Sequence, residues 1–185
     1  MHLLQDLTNQ PSILELSKNL NQKYPQTYNS IKQLEKENII HIDNLKNNKR
    51  IHLNLKHLYT LQAEIERTKQ LPKEIKLLQE KLPKYPTILF GSQTKKYKDS
   101  SDIDLLVLSS KNQRKIEEEI YNALAIYTID LHILTKEDLI LMWNSNELNI
   151  GNEILKNHII LQGFQEILNL FAHELEKRNR RINQK

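Results

Sequence analysis

The sequence predicts an α/β (α+β) chain in which a small, mostly helical unit precedes a mixed sheet with flanking helices. Three observations carry that expectation. Ile88-Leu89-Phe90 and Leu105 to Leu108 are apolar runs too short for helices and suited to buried strands. Around them, longer stretches place apolar residues at helical spacing. Three glycines and five prolines are few breaks for 185 residues, so the elements should be long.

Composition narrows the classes. Hydrophobic residues make up 38% and charged residues 27%, which is enough apolar material for a core and too much for a disordered chain. There is no cysteine, so disulfides, thiolate metal sites and thiol nucleophiles are excluded. MHLLQDLTNQ lacks the basic and apolar regions of a secretory signal. No apolar run nears the roughly 20 residues of a membrane span, and the expectation is a soluble, cytoplasmic protein without membrane partners. A net charge of +4 is compatible with an anionic partner.

The first unit, residues 1–60, reads helix, helix, helix, strand, strand. Leu3, Leu4 and Leu7 share one face of a short first helix. Ser12 can cap a second, carrying Ile13, Leu16 and Leu20. A polar turn, Asn21 to Pro25, leads to a third helix from Thr27 to Asn38 with Ile31 and Leu34 inward. IIHID and IHLNL then alternate as half-buried strands do, around a polar turn from Asn44 to Arg50.

That order, and the stretch PQTYNSIKQLEKENIIHI, resemble a winged helix-turn-helix over roughly residues 1–57. The third helix offers Gln26, Thr27, Asn29, Ser30, Lys32 and Gln33 to base edges and phosphates in a major groove. Lys46, Lys49 and Arg50 on the wing could reach neighbouring phosphates of double-stranded DNA. Winged helices also dock proteins, and residues 1–57 hold only eight Lys/Arg against five Asp/Glu. Homodimers are common among winged helices because operators are palindromic.

A helical linker, residues 61–72, precedes the second unit, residues 73–185, which opens with a helix from Lys73 to Leu82 between Pro72 and Pro83. The chemistry concentrates in PTILFGSQTKKYKDSSDIDLLVLS. After the Ile88–Phe90 strand, Gly91 lets the backbone turn sharply and Ser92 adds a hydroxyl and an N–H. A helix starting there would present free N–H groups to a phosphate. Asp102 and Asp104 follow at strand spacing, on one face and roughly 7 Å apart at Cα. Two such carboxylates suit Mg²⁺, which takes hard oxygen ligands and phosphate oxygens. Ala125 to Leu134 reads as another buried strand. Asp130 within it would need a partner, and a metal would supply one.

The Gly-Ser turn, the D-x-D pair and the later aspartate together resemble the nucleotidyltransferase superfamily of DNA polymerase β, over about residues 73–163. By size the chain is most similar to its minimal members. The resemblance implies that Gly91, Ser92 and Lys95 hold the triphosphate of an NTP. It further implies that Asp102, Asp104 and Asp130 are catalytic and bind two Mg²⁺ ions, with Mn²⁺ as a substitute. The implied reaction is attack of an acceptor hydroxyl on the α-phosphate, releasing pyrophosphate and transferring NMP, which by resemblance is AMP from ATP. Minimal members often act as antitoxins on a helical toxin, which suggests a protein acceptor. Gln93-Thr94-Lys95-Lys96 departs from the family's small–basic–glycine continuation.

The alternative is a DNA-binding regulator whose second unit only senses nucleotide; RNA or tRNA addition fits less well in so small a chain. His132 and His158 sit in apolar surroundings and read as structural. Trp143 reads as packing with Leu139, Ile140 and Met142. Asn152 to Leu161 reads as a helix and an edge strand. The last helix, from Phe164, carries Ile167, Leu168, Phe171 and Leu175, and its basic tail includes Lys177, Arg178, Arg180, Arg181 and Lys185.

Overall fold

A computed structural model describes residues 2–45, 48–94, 102–145 and 147–183. The mixed α/β architecture is as expected. The second half is built on a four-stranded sheet of β3 (Thr87–Phe90), β4 (Ile103–Leu108), β5 (Ile129–Leu134) and β6 (His158–Gln162), in the order β5-β4-β3-β6. β3 runs antiparallel to β4 and β6, while β4 and β5 are parallel. Leu105, Leu106 and Val107 are fully enclosed because β4 is central and covered on both faces.

Each face has its own core. Leu89, Ile103, Leu105, Val107 and Ile159 pack with α5 (Lys73–Lys81) and α6 (Gln113–Ala123), through Ile75, Leu78, Ile116 and Ile120. Ile88, Phe90, Leu106 and Ile160 pack on the other side with α7 (Lys136–Asn144), α8 (Ile150–Lys156) and α9 (Phe164–Asn183). Trp143 is buried there and donates its Nε1–H to the Gly151 carbonyl at 2.7 Å, so it packs a helix as its spacing suggests. Arg178 donates to Glu174, the Trp143 carbonyl and Asn152, which ties α9 to α7 and α8 and takes this residue out of the basic tail. Lys177 likewise donates to Asn144.

The first half holds α1 (His2–Gln5), α2 (Ile13–Asn19), α3 (Tyr24–Lys36) and a hairpin of β1 (Ile40–Leu45) and β2 (Asn48–Leu53). Ser12 caps α2 in a full capping box with Glu15. α3 begins three residues earlier than its sequence suggests, because Pro25 lies in the first turn, where a missing N–H costs nothing. The hairpin is also tighter. Strands reach Leu45 and resume at Asn48, whereas the sequence suggests a loop from Asn44 to Arg50. The polar ends of these strands lack the apolar alternation that marks a strand in sequence.

Ile13, Leu16, Ile31, Ile40 and Ile51 form a third core in this half. Leu3 of α1 packs against this core, whereas Leu4 and, just beyond the helix, Leu7 join Leu155, Leu168 and Phe171, and the Leu7 N–H bonds the Leu155 carbonyl at 2.9 Å. α4 (Leu58–Lys69) is no loose tether either. Its Glu64 is wholly buried beside Arg67, accepts from the Ile160 N–H, and faces β6. Arg67 donates to the carbonyls of Leu4 and His158. Among the described residues no helix is long and apolar enough to cross a membrane.

Candidate active site

The sheet brings the acidic residues together at the end where the parallel strands β4 and β5 begin. Asp104 is the register partner of Asp130, so the two carboxylates stand side by side on one face. Asp104 also pairs with Phe90, the last residue of β3. The chain then turns through a short 3-10 segment, Gly91–Thr94. Gly91 has φ +71°, and a Cβ there would lie 2.9 Å from Asp104 Cγ and collide with its Oδ2 oxygen. Glycine is thus required twice, by conformation and by the carboxylate that fills its side.

Thr94 Oγ1 closes the turn on the Gly91 carbonyl at 2.8 Å. Ser92 is exposed at its tip, whereas Gln93 is buried. The departure from the family pattern at Gln93 therefore serves packing. The turn over Gly91–Thr94 is 3-10, and the positions that would continue it as a helix lie outside the described residues. Lys95 lies outside the described residues.

Asp102 immediately precedes β4 and is exposed. Asp130 is exposed too, with its side chain 59% accessible, and this corrects the expectation of a buried strand. β5 is the edge of the sheet and starts at Ile129; residues 124–126 form a turn after α6. Of β5 only Ile133 is buried, and the Asp130 side chain stands largely in solvent.

The electrostatics single out Asp104. Its pKa is raised above the ordinary carboxylate value, first by burial, then by Asp130, Glu153 and, more weakly, Asp102; His132 opposes the shift. Sequence reasoning missed two of these neighbours. His132 lies two residues beyond Asp130 on the same strand face, its Nε2 3.4 Å from Asp130 Oδ1 and its ring 5.9 Å from that of Phe90. The D-x-H spacing could have revealed it. Glu153 arrives from α8, and no local signal announces that. The donors are all hard oxygens save one imidazole, and among the described residues they carry net negative charge. That set fits Mg²⁺.

The expected DNA-contact residues divide. Gln26, Asn29, Ser30 and Gln33 are exposed on α3, as is Lys49 on β2. Thr27 is buried at 2% accessibility, which corrects its place on the outer face. The α2 helix covers that side of α3. Lys32 is exposed but paired with Glu35 at 2.7 Å, and Gln33 donates to Glu37. Arg50 does not project from a wing: it donates to the Gln10 carbonyl and to Glu15, stapling β2 to the start of α2. Lys46 and the side chains of Arg180, Arg181 and Lys185 lie outside the described residues.

The other polar cluster is on the hairpin. Among the described residues, His41, Asp43 and His52 alone form a trio of metal-competent donors gathered within 4.8 Å. Burial pushes the His52 imidazole below its ordinary value, with Asp43 pulling the other way.

No curated protein matches the chain. Among solved structures it is similar to a crystal structure of the toxin-antitoxin MntA-HepT, at 22% identity over 60% of this chain and 86% of that chain, with a TM-score of 0.31. It is also similar to a crystal structure of the toxin-antitoxin with AMP-PNP, at 23% identity over 60% of this chain and 88% of that one, with a TM-score of 0.34. Residues 73–166, half of the chain and the whole of the sheet, match the family described as Polymerase beta, Nucleotidyltransferase, and the chain belongs to that family.

Proposed function

We propose that the chain is a Mg²⁺-dependent nucleotidyltransferase that transfers an NMP, AMP from ATP, to a hydroxyl of a protein acceptor. One observation carries the reading: Asp104 and Asp130 are in register on parallel strands, and the Gly91 turn is built around the Asp104 carboxylate. Two like charges side by side are unfavourable alone and become favourable around a cation that also meets phosphate oxygens.

In this reading Asp102 and Asp104 hold two Mg²⁺ ions and Asp130 completes the catalytic set. When bound, the ions neutralise phosphate charge and lower the pKa of the attacking hydroxyl. Gly91 and Ser92 bring backbone N–H groups against the triphosphate, and Lys95 supplies a cation there. The acceptor oxygen forms a bond to the α-phosphorus as the bond to pyrophosphate breaks, and the hydroxyl proton leaves to Asp130 or solvent. His132, beside Asp130, orients that carboxylate. A compact protein acceptor is preferred because the described residues include no separate body for holding a large RNA.

Residues 1–60 serve as the recognition unit, joined to the catalytic unit, residues 73–185, through α4. Contact with double-stranded DNA falls to Gln26, Asn29, Ser30, Gln33 and Lys49. Thr27 and Arg50 are engaged internally, so docking of the acceptor is the stronger use of this surface. A homodimer would double either surface.

Calorimetric titration of each NTP with and without Mg²⁺, on the natural chain and on Asp102→Asn/Asp104→Asn, tests the site. Mg²⁺-dependent binding that disappears in the variant is expected. Absence of binding to the natural chain overturns the reading. Binding without any pyrophosphate release, given cell extract as acceptor source, would instead favour a nucleotide-sensing regulator.

A further inference from the structure

His41 and Asp43 alternate along β1 and share its outer face, and His52 is the direct register partner of His41 across the hairpin. The opposite face of the same hairpin carries Ile40, Ile42, Ile51 and Leu53, which pack inward. The outer face would ordinarily be solvated. Here His52 is only 6% accessible, while His41 is more than half exposed. The two imidazoles stack with 4.8 Å between ring centroids and 9° between planes. Both turn Nε2 toward the same carboxylate: His52 Nε2 lies 3.1 Å from Asp43 Oδ2, and His41 Nε2 lies 3.9 Å from Asp43 Oδ1.

The cross-strand neighbour of Asp43 is Arg50. A salt bridge between those two would be the simplest use of both. Arg50 instead donates to Glu15 and the Gln10 carbonyl, and the carboxylate is left to the imidazoles.

We propose that His41, Asp43 and His52 form a Zn²⁺ site on the hairpin, separate from the acidic cluster of the sheet. Ligand bonds of about 2.0–2.1 Å to a tetrahedral Zn²⁺ put neighbouring donors roughly 3.4 Å apart. The two contacts with Asp43, 3.1 and 3.9 Å, bracket that separation, the whole trio lies within 4.8 Å, and the exposed His41 ring must turn out of its stack to close the remainder. Two imidazole nitrogens and one carboxylate favour Zn²⁺ over Mg²⁺, which prefers oxygen donors throughout. The sequence has no cysteine, so among the described residues this is the trio that offers nitrogen donors to a borderline-soft ion. Water fills the fourth position from the exposed His41 side. A cavity of about 180 Å³, which His41 and His52 line together with Gln10, Glu176 and several leucines, lies next to it. Bound Zn²⁺ would pin β1 to β2 at this register and fix the hairpin against the start of α2 and the flank of α9.

The test uses the full chain carrying Asp102→Asn, Asp104→Asn and Asp130→Asn, so that the sheet carboxylates cannot capture the ion. Its outcome is then independent of the nucleotidyltransferase reading. Zn²⁺ is titrated calorimetrically in excess Mg²⁺, and Co²⁺ is followed by the visible absorption of low-coordinate cobalt. One equivalent of Zn²⁺ and an intense cobalt spectrum are expected. Adding His41→Ala should weaken binding at least about tenfold and bleach the cobalt spectrum, and Asp43→Asn should act in the same direction. His41 is exposed, so its removal should leave the metal-free circular dichroism and melting temperature unchanged. Zn²⁺ affinity equal with and without His41, or no binding in the parent, overturns the proposal.

Discussion

Two groups of charged residues touch the same sheet and are handled in opposite ways. At the start of β4 and β5, Asp102, Asp104, Asp130 and Glu153 gather charge of one sign, mostly open to solvent, with the half-buried Asp104 pushed above its ordinary value. Behind β6, Glu64 and Arg67 bring opposite charges into a sealed interior. There Glu64 takes the Ile160 N–H, and Arg67 satisfies the Leu4 and His158 carbonyls. In the inner group each charge has its counter-charge and a backbone partner, with Glu64 Oε2 facing the Arg67 guanidinium at 3.4 Å. In the outer group the neighbouring carboxylates raise the cost of ionising Asp104, and under the proposed function a cation would relieve that repulsion.

The largest effect should come from opening the closed network. Arg67→Ala leaves Glu64 buried without its counter-charge and should cost about 3–5 kcal/mol in urea unfolding. Replacing both residues with apolar side chains of similar size should recover most of that loss. A change below about 0.5 kcal/mol for Arg67→Ala would erase the contrast between the groups.

The open group should respond with the opposite sign. The folded pKa of Asp104 is raised, so the native state binds its proton more tightly than the unfolded chain does, and ionisation above the ordinary 3.8 destabilises the fold. Asp104→Asn should therefore raise the melting temperature of the Mg²⁺-free protein at neutral pH. The gain should shrink as pH falls through the carboxylate range. In the same variant Mg²⁺-dependent NTP binding should weaken by at least about 100-fold, beyond what loss of a supporting group usually costs. A variant less stable at neutral pH would show that Asp104 has an architectural role.

Acid separates the groups in another way. His158 is wholly buried, and burial, reinforced by nearby Arg67, pushes its pKa from 6.5 to about 3. The unfolded chain binds that proton first, so stability should drop as pH falls from 6.5 toward 3. His158→Leu should flatten this slope in unfolding measured against pH, whatever it does to the baseline. The smallest effect is expected at Glu153, which repels Asp104 from an exposed position on α8. Glu153→Gln should change stability by no more than about 0.5 kcal/mol, upward, as thermal melts can show.

Features set by neighbours along the chain are legible in the sequence. Gly91, Ser92, Asp102 and Asp104 form one short stretch, and of the two aspartates Asp104 lies in β4 and Asp102 just before it. The sheet strands and the packing of Trp143 are legible for the same reason. What depends on a distant element is not. Thr27 turns inward because α2 lies against it, and Arg50 turns back to Glu15. Glu153 reaches the site only through the crossing of α8. Asp130 stands out by its residue type, but the burial argument for it fails because β5, unlike the other edge strand β6, is left mostly open by the helices around it. The hairpin shows how one residue can matter. A loop from Asn44 to Arg50 would pair Asp43 with Ile51, slip the register by one, and put His52 on the face opposite His41. The observed register pairs His41 with His52.

The burial of Leu4 and Leu7 among Leu155, Leu168 and Phe171 also bears on how the chain matures on the ribosome. The Leu7 N–H needs a carbonyl about 150 residues downstream, which at 5–20 residues per second is synthesised roughly 7–30 s later. Throughout that interval Leu4 and Leu7 wait exposed while α2, α3 and the hairpin can already close on their own small core. This stretch is thus a sticky segment until α8 and α9 emerge, and it is one that a holding chaperone would find early.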